Sequence, residues 1–254
     1  TYYFKTGSLL THSLHQAIDQ NLVTNGEFYV SLAYQPLLEQ KARIAPYPLQ
    51  HFMQWGTPQD FEDFLYWFDR LPRKRDPLPS PPLKGTLLLP MAGLGSRFAG
   101  HPSGLPKPLI PIDGLPMVVR AAADLPAMEK QTFVLRKEHL SCIPSLQSHF
   151  PQARFTLLDQ PTEGQASTCL LGAPSPEEPL LIGACDNGMV YHREQWKSSL
   201  EDPAIDIVVF GARRYPGAIR NPEAYGWLKL DQTGKVQAIS VKKSFEDLKN
   251  DPVI

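Results

Sequence analysis

"LLLPMAGLGSRFAGHPSGLPKPLIPI", residues 87–112, passes from an apolar, strand-like run into a glycine-rich loop and leaves through a lysine flanked by prolines. The strand ends at Pro90, and Ala92, Gly93 and Gly95 follow at once. Glycine has no Cβ, so its backbone N–H groups can come close to a bound phosphate. Ser96 and Arg97 complete the loop; Arg97 is a fixed positive fork suited to phosphate oxygens, and Lys107 adds a second cation. Two common phosphate loops fit poorly here. The dinucleotide fingerprint needs a third glycine where Phe98 stands, and the Gly-Lys-Ser/Thr of a Walker loop is absent. Two cations on a glycine loop suit a triphosphate.

Outward from this loop, short apolar runs alternate with helix-length segments: "TLLLP" from Thr86, "TFVLR" from Thr132, "RFTLL" from Arg154, "PLLIGA" from Pro179 and "IDIVVF" from Ile205. Runs that are apolar on both faces predict a Rossmann-like, mainly parallel α/β sheet covered by helices. "YGWLKLDQTGKVQAISV", residues 225–241, differs in alternating around Asp231-Gln232-Thr233-Gly234, which predicts a β-hairpin. Before the loop, helices are expected from about Ser8 to Gln20, Ser31 to Gln40 and Pro58 to Phe68, the last with Thr57 as N-cap and Pro58 at its first position. Prolines crowd "LPRKRDPLPSPPLKG", and residues 72–85 read as a linker between segments 1–71 and 86–254.

The 254 residues, 42% of them hydrophobic, suffice for a full core. With Lys+Arg 25 against Asp+Glu 26, net charge gives no reason to expect a nucleic-acid or membrane partner. Cys142, Cys169 and Cys185 lack metal-ligand spacing, and no apolar run approaches membrane-spanning length, so a cytoplasmic protein is the default expectation.

The motif "PMAGLGSRF…LPKPLIPIDGLPM" resembles that of the sugar-phosphate nucleotidyltransferases, such as glucose-1-phosphate thymidylyltransferase. "DQPTEGQAST" is similar to the family's base-binding segment, "ACDNG" to its metal-binding turn, and "NPEAYGWLKLDQTGKVQAISVKKS" to its sugar-site hairpin. The resemblance implies a GT-A-like α/β fold with a hairpin insertion, and transfer of a nucleotidyl group from a nucleoside triphosphate to a sugar-1-phosphate. It implies Arg97, Lys107 and Asp186 as catalytic residues, with Mg²⁺ on Asp186. It implies Ala92, Gly93, Gly95, Ser96, Gln160 and Gly164 at the nucleotide, and Glu27, Glu223, Tyr225, Gly226 and Lys242 or Lys243 at the sugar phosphate. An oligomer is compatible with it.

The family's order is reversed in this chain. "NGEFYVSLAYQPLLEQ" and "FMQWGTPQDFEDFLYWF" resemble the part that follows the sugar-site hairpin, yet they come first. A circular permutant and a piece of a tandem array both explain this. Either way, the two segments are expected to complete one domain, with Thr1 beside Ile254. One departure stands out: the family's second metal-binding aspartate falls between a tryptophan and Gly-Thr, whereas Trp55 is followed directly by Gly56. Asp60 and Glu27 are the remaining acidic candidates. Two other readings stay open, a non-catalytic module that binds nucleotide sugar and a dinucleotide-dependent oxidoreductase, the latter disfavoured by Phe98.

Overall fold

The computed structural model describes residues 1–68, 81–213, 215, 218, 221–242 and 253–254. From the N-terminus come β1 (Tyr2–Phe4), α1 (Gly7–Asp19), α2 (Tyr34–Glu39), β2 (Ile44–Pro48), β3 (His51–Gln54) and α3 (Pro58–Phe68). The glycine loop follows β4 (Leu83–Met91), then β5 (Pro111–Ile112), β6 (Leu115–Pro116), α4 (Met117–Ala123), β7 (Met128–Arg136), α5 (Ile143–His149) and β8 (Arg154–Leu158). The chain continues through α6 (Gln165–Gly172), β9 (Leu180–Ile182), β10 (Asn187–Val190), α7 (Arg193–Glu201), β11 (Ile207–Gly211), β12 (Gly226–Leu230) and β13 (Val236–Val241).

Seven strands form one sheet in the order β2-β11-β1-β9-β4-β7-β8. Every pairing in it is parallel except the two made by β1. The expected mainly parallel α/β sheet is therefore what the chain forms. Its continuous apolar runs are explained by burial on both faces. Leu88, Val134, Leu180 and Ile182 point to a core shared with Leu10 and Leu14 of α1, Tyr34 and Leu37 of α2, and Cys169 of α6. Leu87, Leu89, Phe133, Leu135 and Leu181 face the opposite core, with Val118 of α4, Leu146 of α5 and Trp196 of α7. Among the described residues no helix is long and apolar enough to cross a membrane.

Residues 1–54 insert β1 and β2 into a sheet otherwise built by residues 83–211. Both chain ends bond to β11 and the residue after it. The Phe210 N–H donates to the Thr1 carbonyl (3.2 Å), and Ala212 exchanges two backbone hydrogen bonds with Ile254 (2.8 and 3.0 Å).

Two boundaries differ from expectation. The helix expected over Ser31 to Gln40 is a 3₁₀ turn at Val30–Ala33 followed by the short α2. Pro36 has no N–H to give the Leu32 carbonyl, so it is tolerated only in the first turn of an α-helix, and α2 begins just before it. The linker expected over 72–85 is also shorter: β4 already begins at Leu83, whose N–H donates to Ala127 (2.8 Å), while 72–80 lie outside the described residues. Gly85 lets the strand begin early. Its φ is +121°, and a Cβ there would fall 2.4 Å from the Pro179 carbonyl oxygen.

Candidate active site

Chain order places the site. From β4 the chain moves outward through β7 to β8, then returns to the other side of β4 with β9. The crevice beyond the carboxyl ends of β4 and β9 is thus a topological switch point, where open parallel sheets bind ligands. The glycine loop leaves β4 at this edge, and Asp186 lies just beyond β9 at the same edge.

Gly95 takes the left-handed conformation (φ +64°) and caps a 3₁₀ turn, Ser96–Phe98. Phe98 drops into a small core with Phe61 of α3, Ile110, Ile112 and Met117. Anchoring Phe98 leaves Gly93, Ser96 and Arg97 exposed at the crevice, with Ala92 buried behind them. Lys107 enters from the far arm of the loop. Pro106 and Pro108 fix its backbone, its Cβ lies 3.5 Å from where a side chain on Gly95 would begin, and its ammonium sits 5.2 Å from the Phe98 ring centroid. That ammonium forms an ion pair with Asp186, and the two side chains are only 11% and 20% exposed. Asp186 is held from behind, since its carbonyl accepts the Trp55 N–H (3.0 Å) and Asn187 pairs with Gln54 where β10 meets β3.

A second group of side chains comes from the first segment of the chain. Asn25 and Gly26 turn with positive φ (52° and 76°), closing the Thr24–Glu27 bridge and presenting Glu27. The Glu27 carboxylate accepts the Tyr29 hydroxyl (2.5 Å), and the Lys242 ammonium lies 5.0 Å from the Tyr29 ring centroid. Desolvation, then the Glu27 hydrogen bond and charge, push the Tyr29 phenol well above its ordinary range, while nearby Arg97 pulls the other way. Arg97 thus joins the two groups; its Nη1 also lies 3.7 Å from the Cβ position of Gly56. Phe28 ties this segment to the loop before α6: its N–H donates to Glu163 (3.3 Å) and its carbonyl accepts from Ala166 (3.1 Å). Gly164 fits only as glycine, because a Cβ would lie 2.5 Å from the Phe28 carbonyl oxygen.

Two more of the expected residues fall on the hairpin. Tyr225 and Gly226 open the hairpin, where the Lys242 N–H donates to the Tyr225 carbonyl (2.9 Å) and Gly226 pairs with Val241. Tyr225 stands edge-on to Tyr215 (5.8 Å), which stands edge-on to Phe52 of β3 (5.3 Å), so an aromatic chain links the hairpin to the strand beside β10. Gln160 and Glu223 are exposed and join none of these contacts, and Lys243 lies outside the described residues. Tyr29 and Gly56 are the residues that sequence reading missed. Tyr29 sits in an aromatic and apolar run, "EFYVSL", that reads as core, although Glu27 two residues earlier was a usable signal. A hollow of about 560 Å³ opens beside Arg97, between α3 and residues 97–103, but Phe61, Leu65 and Phe98 line much of it and the Lys107–Asp186 pair does not.

Among the described residues no group of three or more His, Cys, Asp or Glu side chains could hold an ion. Asp186 is engaged by Lys107, Glu27 by Tyr29, and Asp60 accepts the Thr57 hydroxyl (2.8 Å) while its N–H donates back (3.2 Å) as an ordinary first-turn cap. Burial pushes the Cys185 thiol up to about 12. Mg²⁺ on Asp186 would have to compete with the Lys107 ammonium, which already holds Oδ2.

No protein-family model matches this chain, and no curated protein does. Among solved structures it is similar to a nucleoside-diphosphate-sugar pyrophosphorylase from Vibrio cholerae RC9, at 16% identity and a TM-score of 0.37, over 62% of this chain and 67% of that one.

Proposed function

We propose that this site binds a nucleoside triphosphate and a sugar-1-phosphate and transfers the nucleotidyl group between them. One observation carries the reading: a glycine loop, Arg97 and the Lys107–Asp186 pair converge at the switch point between β4 and β9, with the Tyr29–Lys242 group beside them. In this reaction a phosphate oxygen of the sugar-1-phosphate attacks the α-phosphorus, the bond from that phosphorus to the bridging oxygen breaks, and pyrophosphate leaves. The attacking oxygen is already anionic, so no strong base is needed. The protein's task is to hold two anions that repel each other and to neutralise charge in place. The loop N–H groups and Arg97 hold the triphosphate, and Lys242 orients the sugar phosphate.

Pyrophosphate release across the four common ribonucleoside triphosphates and dTTP, each with a panel of sugar-1-phosphates, tests this. At least one pair should turn over, and Arg97→Met should lower kcat/KM by about 100-fold, the size typical for loss of one charge-stabilising donor, with an unchanged melting point. Binding without release would instead support a non-catalytic module, the reading favoured by the missing second acid at Trp55-Gly56. Absence of both binding and release would defeat the proposal.

A further inference from the structure

We infer that the Lys107 ammonium stands where a divalent cation would otherwise sit on Asp186, so that the site takes up its polyphosphate as the metal-free anion. The inference rests on the nucleotidyl-transfer reading above and specifies how that site handles charge.

The lysine is built into place. Its backbone is fixed between two prolines, its stem runs beside Gly95, and its ammonium is seated 5.2 Å from the Phe98 ring centroid. A flexible surface lysine would have none of these restraints. Its partner carboxylate is equally fixed, through the Asp186 carbonyl to Trp55 and through Asn187 to Gln54. The pair is mostly enclosed, at 11% and 20% side-chain exposure, where charges are screened less than at an open surface.

Among the described residues, the other acidic side chains near Asp186 already have partners of their own. The strand residue opposite Asn187 is Gln54, a neutral amide. Asp124, whose carboxylate would meet a Cβ on Gly188, lies 3.8 Å from the Arg120 guanidinium. Glu27 is bound to Tyr29 and Asp60 to Thr57. A divalent ion on Asp186 would meet the ammonium at contact distance and gain one carboxylate, already neutralised. The ammonium has the opposite standing: it neutralises Asp186 now and can turn its remaining N–H groups toward phosphate oxygens arriving from the glycine loop.

Isothermal titration of dTTP, UTP, CTP and GTP, in excess EDTA and again in saturating MgCl₂, tests this on the wild type, Lys107→Met and Lys107→Arg. The wild type should bind at least one of the four in EDTA with a Kd within about threefold of its value in Mg²⁺. Lys107→Met should bind about tenfold or more weakly in EDTA and recover most of that loss with Mg²⁺, because its Asp186 is then open to the ion. Lys107→Arg should keep the wild-type indifference to metal. Wild-type binding that needs Mg²⁺ overturns the inference and leaves the functional reading standing. So does a Lys107→Met protein that binds in EDTA as the wild type does. No binding of any triphosphate in either condition overturns both. Should Lys107→Met fail to fold, the wild-type and Lys107→Arg titrations still decide.

Discussion

A single methyl group at residue 164 would separate two explanations of that glycine. If Gly164 is there only for its φ of +156°, alanine should cost backbone strain alone; if it is there for close approach as well, the 2.5 and 2.8 Å distances to the Phe28 carbonyl oxygen and nitrogen forbid a Cβ. The second account holds, because those atoms are backbone and are themselves tied to Glu163 and Ala166. Gly164→Ala should destabilise the protein by about 2 kcal/mol, an overpacking cost. At this chain length that is a fall of roughly 4–8 °C in melting point, readable by calorimetry. An unchanged melting point would mean that the 27–29 segment does not rest on this loop. Lys107 and Asp186 could each be singled out from their own local motifs. Their contact could not, since it spans 79 positions and depends on β9 returning beside β4. Tyr29 was hidden for the same reason: its neighbours Arg97 and Lys242 come from distant parts of the chain.

At the scale of elements, legibility followed periodicity and failed where proline disguised it. The runs at 132–136 and 154–158 read as strands because they are apolar on both faces, and both are strands in the sheet. β2, "IAPYP", was missed because two prolines in five residues argue against a strand. They are tolerated because β2 is the edge strand, with only β11 beside it, so a missing N–H need not break a ladder. An edge so short of donors needs another fastening. Arg43, just before β2, grips Asp206 before β11 through Nε and Nη2 (3.0 and 2.9 Å). The Arg43 hydrogen bond holds the Asp206 carboxyl below its ordinary value. A depressed folded-state pKa means that its stabilising contribution is present above the ordinary aspartate range, near about 4, and disappears as pH falls below it. Asp206→Asn should therefore melt below the wild type at neutral pH, and the gap should close as pH is lowered through that range. A gap constant with pH would place the effect in packing rather than charge.

For the whole molecule, the question is whether segments 1–68 and 81–254 stand alone or need each other. β1 lies between β9 and β11, bonded on both sides, so removing the first segment would split the sheet and not merely shorten it. The same segment supplies α1 and α2, whose Leu10, Leu14, Tyr34 and Leu37 cover Leu88, Val134, Leu180 and Ile182. Stripping them away would expose a core face and three unpaired strand edges together, one on β9 and both on β11, a combination that favours aggregation. Continuity of the chain through residues 69–80 should matter far less than this packing, because loop closure adds little once the pieces are docked. A protease site inserted within 69–80 tests the point. After cleavage the two pieces should co-elute as one particle in size-exclusion chromatography, with a melting point within a few degrees of the intact chain. The piece 81–254 expressed alone should be insoluble or unfolded, and recovering it as a cooperatively melting monomer would show that the late-coming glycine loop belongs to a self-sufficient domain. If instead the halves remain joined after cleavage, the crevice beyond β4 and β9 depends on both pieces for its shape.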